Sequence, residues 1–148
     1  MSRKKNFSII YFYLITALLL SGLFLGFENL SFTNTDWILG SGDKTNAHIA
    51  WTFFKNDVWH FPLGKNPNYG LDIANSIIFT DSIPIFAIFF KIFNFVLPEN
   101  FQYFSLWVFL CFFLQLHFSY LLINFLIKDV TFSLLCSFLF VLLPFYLF

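Results

Sequence analysis

The sequence predicts an all-α integral membrane protein, built as a multi-span helical bundle. Three observations predict it. Of 148 residues, 59% are hydrophobic and only 11% are charged, against roughly 45–50% and about 25% in soluble domains. Four long apolar runs follow one another, of the length that crosses a bilayer as helix. Most of the charge sits in a basic tip and in one polar segment between the first two runs. A water-soluble single domain would need shorter apolar runs, and a disordered chain would need high charge and few apolar residues. Both are excluded. Phe alone supplies 26 residues, which reads as compositional bias.

The first run, Phe7 to Phe27, has 21 residues and no charge. At 1.5 Å per residue it covers about 31 Å, the thickness of a bilayer core. Arg3, Lys4 and Lys5 precede it and place the N-terminus in the cytoplasm by the positive-inside rule. A cleaved signal peptide fits less well. Its apolar region is about 7–15 residues long and ends at a small-residue site, whereas Phe24, Phe27 and Glu28 stand here. The protein is therefore expected in the cell (inner) membrane as a multi-pass chain, with residues 1–6 as a cytoplasmic tip.

Residues Glu28 to Asn75 form a 48-residue segment carrying five acidic residues and three lysines. Its sign suits an extracytoplasmic loop, and its length exceeds that of a simple connector. The second run, Ser76 to Leu97, is interrupted by Asp81 and Pro84 and carries Lys91 near its far end. Pro98-Glu99-Asn100 is expected to form a tight cytoplasmic turn. The third run, Tyr103 to Ile127, has no formal charge, and Lys128-Asp129 marks the next turn. The fourth, Val130 to Phe148, is apolar to its last residue. A terminal carboxylate in hydrocarbon is costly, so a piece of a longer protein, cut inside its fourth span, is expected. The whole reads as a single membrane domain.

Eight basic residues balance eight acidic ones, so nothing implies a polyanion-binding surface, and nucleic acid is not an expected partner. Cys111 and Cys136 lie in apolar runs and read as small hydrophobes.

The loop carries the most chemistry. Ala47, Ala50, Trp51, Phe54 and Val58 form one helical stripe, and Lys44, His48, Thr52 and Lys55 another. Asp43 stands where an N-cap belongs. The spacing predicts an amphipathic helix over 44–58, with its aromatic face in the membrane interface and its Lys/His face in water. Turn-rich sequence follows from Trp59 to Gly70. Trp37, Trp51, Trp59 and Tyr69 are natural interface anchors. Asp81, near the end of an apolar run, either lines a cavity or, with Ser82, caps the helix that Pro84 begins. In the third run, Gln115 and Ser119 suit helix-to-helix hydrogen bonds, and His117 suits packing.

The order of parts resembles the start of the GT-C superfamily of polytopic glycosyltransferases. It is closer still to an uncharacterised bacterial membrane family related to them. The resemblance is carried by Gly42-Asp43, His48 to Phe54, Trp59 to Gly64, Tyr69-Gly70, Phe79 to Pro84, Lys91, Leu97-Pro98 and Phe101 to Phe104, about half the chain. It implies a GT-C-like N-terminal portion of a cell-envelope enzyme. Such an enzyme takes a sugar from a polyprenyl-phosphate carrier and passes it to an acceptor on the extracytoplasmic face. It would make Asp43 the general base and Asp81 a second, cavity-lining carboxylate, with Lys44, His48, Lys55 and His60 as substrate contacts. Asp43 is followed by Lys44, where a second acid often stands, so the spacing does not support a divalent metal. Four spans are too few to enclose a full cavity of this kind, so this stretch is expected to be inactive by itself. Two alternatives differ in class: a transporter or flippase for lipid-linked glycans, and a non-catalytic assembly protein. A transporter would spread polar residues through its spans at mid-bilayer, whereas here they gather in the loop.

Overall fold

The computed structural model describes residues 3–40, 42–70 and 74–142, with side chains from residue 9 onward. In chain order the helices are α1 (Arg3–Leu25), α2 (Asp43–Asn56), α3 (Pro84–Ile92), α4 (Phe104–Ile127) and α5 (Val130–Val141). A two-strand ribbon joins β1 (Lys65–Asn66) to β2 (Asn75–Ser76), antiparallel, with Lys65 opposite Ser76. Short 3₁₀ turns lie at Phe27–Leu30, Ile77–Phe79 and Asn94–Val96. The chain divides into two compact units. One joins Met1–Ser31 to Phe104–Phe148, and the other is Phe32–Tyr103.

The first unit holds α1, α4 and α5. Of the described helices, α4 is long and apolar enough to cross a membrane: its 24 residues extend about 36 Å. The apolar parts of α1 and α5, Ile9–Leu25 and Val130–Val141, are shorter. The end of the fourth run, 143–148, lies outside the described residues. Lys128 leaves α4 with φ 60°, and the Asp129 carboxylate starts α5 by accepting the Phe132 N–H at 2.8 Å, which meets one of the unpaired donors of a helix start.

Tyr13, Ala17, Phe112, Leu116, Tyr120 and Val141 form the core of this unit, and Ser21, Ser133 and Ser137 are buried beside them. Large apolar side chains point out: Leu23 is 74% exposed and Phe125 78%. The serine hydroxyls bond back into their own helices, Ser21 to the Ala17 carbonyl at 2.7 Å and Ser133 to that of Asp129 at 2.6 Å. Gln115 makes the expected bond between helices, donating to the Phe140 carbonyl of α5 at 3.1 Å. Ser119 does not. It returns to the Gln115 carbonyl at 2.6 Å within α4. His117 is packed, stacked at 4° on Phe113 and edge-on to Tyr13.

The second unit is built on α2. Gly42, at φ 82°, makes the N-cap, so Asp43 is the first helical residue and not the cap expected from its type. Glycine reaches that φ without a steric cost. The helix stops at Asn56, and the Asp57 N–H closes its last turn on the Phe53 carbonyl at 3.1 Å. Val58 lies past the end and is exposed.

The stripe of Ala47, Ala50, Trp51 and Phe54 is the core of this unit and not a membrane-facing surface. The chain up to Tyr103 is long enough to supply a protein partner for it. Trp51, fully buried, donates Nε1–H to the Phe101 carbonyl at 3.0 Å and meets the Tyr103 ring edge-on at 5.0 Å. It is therefore not an interface anchor.

Residues 76–97 do not form one span. They hold the end of β2, a 3₁₀ turn, the nine-residue α3 and another 3₁₀ turn. Nine residues of helix cover about 14 Å, roughly half a bilayer core. Pro84 lacks an N–H and is suited to the first turn of a helix, so α3 begins there. The run was apolar enough to read as a span because its hydrophobes serve a protein core and several turns. The turn expected at 98–100 is present.

Candidate functional site

The site residues expected from sequence fall into three settings. The first holds two exposed carboxylates, Asp43 and Asp81, on segments joined by one hydrogen bond. Asp81 sits at φ 51° and Ile83 at φ 50°, two left-handed residues within one turn. Asp tolerates this region, but for a β-branched residue it is an outlier. Neither Asp81 nor Ser82 caps α3, whose N-cap is Ile83 without a side-chain bond.

Buried hydroxyls hold this turn. Thr80 donates to the Ile77 carbonyl at 3.0 Å and lies 2.9 Å from Ser82 Oγ. Ser82 donates to the Ala47 carbonyl at 2.7 Å, and the Tyr103 hydroxyl donates to the Ser82 carbonyl. Ala47 is one helical turn, about 6 Å, along α2 from Asp43. The bond from Ser82 thus ties the Asp81 turn to the start of α2. Asp43 and Asp81 are both exposed. Lys44, also exposed, places its ammonium 5.7 Å from the centre of the Trp37 ring.

The second setting is buried. His48 and Lys55 were expected to face water, and both are inside the unit. Lys55 donates to the Pro98 carbonyl at 3.3 Å and to that of Glu99. It anchors the 98–100 turn and does not reach out to a ligand. Burial holds its pKa below the usual lysine value, opposed by the Glu99 carboxylate. Burial, and then the nearby Lys55 ammonium, hold the His48 imidazole below its ordinary value. Lys91 lies 4.0 Å from the centre of the Phe54 ring and 4.8 Å from that of Trp59, and donates to the Val58 carbonyl at 3.2 Å. Burial lowers its pKa too, opposed by Asp57. With Asn94, which donates to the Lys55 carbonyl at 3.0 Å, these lysines tie down the C-terminal end of α2.

The third setting was not anticipated. His60 Nε2 lies 3.1 Å from Asp57 Oδ2, and Asp57 Oδ1 accepts the Val58 N–H at 2.8 Å. The Asp57 side chain is 10% exposed and borders a cleft of about 450 Å³ lined by Thr52, Phe53, Asn56, Asp57 and Asn68. The signal for the pair was in the sequence, as an Asp and a His three residues apart just past a helix. His60 alone was singled out. Asn68 carried no signal.

Among the described residues, no group of three or more His, Cys, Asp or Glu side chains converges.

Comparison with family models places residues 14–148 in a domain of unknown function, DUF6311. The chain belongs to that family. No curated protein and no solved structure matches the chain. The family model takes in both units, from within α1 to the last residue.

Proposed function

We infer that this member of the DUF6311 family is a multi-pass membrane glycosyltransferase of GT-C type. It transfers a sugar from a polyprenyl-phosphate carrier to a cell-envelope acceptor on the extracytoplasmic face. The first unit is the membrane anchor. Ser21, Ser133 and Ser137 are buried beside its core while many of its leucines and phenylalanines, Leu23 and Phe125 among them, point out, the arrangement expected in lipid. The second unit carries the chemistry. In this reading Phe61, Phe79 and Phe95, each more than four-fifths exposed, take the interfacial role first expected of the α2 stripe.

One observation carries the reading: the Asp81 turn is strained, is held by buried hydroxyls, and is tied to the helix that Asp43 begins. Backbone in a sparsely populated region persists only where its surroundings enforce it, and such residues cluster at functional sites. An acceptor hydroxyl is a poor nucleophile, and a carboxylate within hydrogen-bond reach takes its proton as the new bond forms. Asp43 is the base in this scheme, and Asp81 lines the same exposed face. Lys44 neutralises charge that develops on the leaving phosphate.

The test replaces Asp43 or Asp81 by Asn at the gene's own locus. Membranes are then assayed for transfer of labelled sugar from polyprenyl phosphate. Loss of the base is expected to lower the rate by about 10²–10⁴-fold. Undiminished transfer in the Asp43→Asn membranes, with the protein inserted normally, contradicts the assignment.

A further inference from the structure

The cleft beside the Asp57–His60 pair has a composition the proposed reaction does not yet use. It is built from the exposed side of α2 and from Asn68. Its lining offers one carboxylate, two amides, one hydroxyl and one aromatic ring, and no lysine or arginine. Lys55 is bound to the 98–100 turn and Lys91 to the Val58 carbonyl, and Lys65, exposed at the start of β1, is not among the lining residues. Among the described residues the lining itself carries a carboxylate and no cation, which disfavours a phosphate.

The walls are fixed. Asn66, fully buried, donates from Nδ2 to the Ala50 carbonyl at 2.9 Å, which holds the loop carrying Asn68 against α2. The Thr52 hydroxyl donates to the His48 carbonyl at 2.9 Å, leaving its oxygen free to accept. Asp57 is oriented by Val58 N–H and by His60, and each of its oxygens keeps a lone pair for a ligand. Phe53 is 44% exposed and packs against the Tyr69 ring at 5.8 Å. A flat apolar ring thus stands near an oriented carboxylate and two exposed amides, in a volume inside the roughly 300–1,000 Å³ range of small-molecule sites.

We propose that this cleft binds a neutral sugar ring, the acceptor end of a glycan. The C–H face of the ring lies on Phe53. Its hydroxyls donate to the Asp57 carboxylate and exchange hydrogen bonds with the amides of Asn56 and Asn68. The proposal rests on the glycosyltransferase reading for the word acceptor, and on the cleft alone for the word sugar.

The test uses the full chain in lipid nanodiscs and reads saturation-transfer NMR with methyl glycosides of glucose, galactose, mannose and N-acetylglucosamine. Glucose 1-phosphate and calcium chloride serve as comparison ligands. At least one glycoside is expected to receive saturation, and glucose 1-phosphate to bind more weakly than methyl glucoside. Phe53→Ala is expected to weaken binding by about two- to tenfold, the value of one aromatic contact, and Phe53→Trp to retain it. Phe53 is exposed, so the Ala variant is expected to fold, and near-ultraviolet circular dichroism checks this.

Absence of saturation on every glycoside overturns the proposal. So does equal binding by the folded Phe53→Ala variant, or a thermal shift produced by calcium and by no sugar. Sugar binding without any transfer in membranes contradicts the transferase reading and leaves the subsite standing. Transfer that continues with no sugar bound at the cleft contradicts the subsite alone.

Discussion

The two units use the same apolar, Phe-rich alphabet and differ in which of their large and small side chains fill the core. In the first, Ser21, Ser133 and Ser137 are inside while Leu23 and Phe125 are outside. In the second, Trp51 and Phe54 are inside while Asp43 and Asp81 are outside. A helix in lipid gains little by hiding a leucine from other hydrocarbon, so its contacts select small and hydrogen-bonding residues. A unit in water gains by removing aromatic area from solvent. The difference places ionisable chemistry in the second unit.

The predictions press on this contrast, beginning with the largest effect. Trp51→Ala removes the largest fully buried side chain and leaves the Phe101 carbonyl without its donor. It should cost the second unit about 3–5 kcal/mol, read as a drop in its denaturation midpoint in nanodiscs. A loss under about 1 kcal/mol would show that the stripe is not a core. Ser82→Ala should cost about 0.5–1.5 kcal/mol by removing the bond to the Ala47 carbonyl. On the proposed transferase reading it should also lower sugar transfer by loosening the Asp81 turn, so the two readouts should fall together.

Gln115→Leu removes the α4–α5 bond. Bonds between helices in lipid average about 0.6 kcal/mol with a maximum near 1.7, and the change should appear in a steric-trap or unfolding measurement of the first unit. Burial lowers the His48 pKa, so the unfolded chain takes up a proton more readily than the folded unit. Through this group, stability of the second unit should fall as the pH drops below about 6.5. A His48→Gln variant should flatten that slope. The smallest effect is expected from Leu122→Ala, on the outer face of α4. It should change stability by no more than about 0.5 kcal/mol.

Some of this was legible in the sequence. The uncharged runs that became α4 and most of α1, and the turn at Lys128-Asp129, follow from composition and end signals alone. So does α2 as a helix, because its 3.6-residue stripe is intact from Ala47 to Phe54. The role of that stripe was not legible. Periodicity reports that one face is apolar but not whether lipid or protein covers it. Residues 76–97 were misread for the same reason. Only Pro84 and the polar Thr80-Asp81-Ser82 signalled the break that became a strained turn and a nine-residue helix. His48 and Lys55 read as water-facing because their partners are backbone carbonyls and side chains at least 40 residues away or across the helix, as with Lys55 and Pro98. Asp57 gained its place only when Asn68 folded beside it to make a cleft.

The central claim is that the two units are folded for different solvents. Spin labels placed singly at Leu122 and at Asn46, in a chain with Cys111 and Cys136 replaced by Ser, test it most directly in nanodiscs. The label at 122 should relax with oxygen and ignore a water-soluble nickel chelate, and the label at 46 should do the reverse. Equal access of the nickel chelate to both positions would contradict the account.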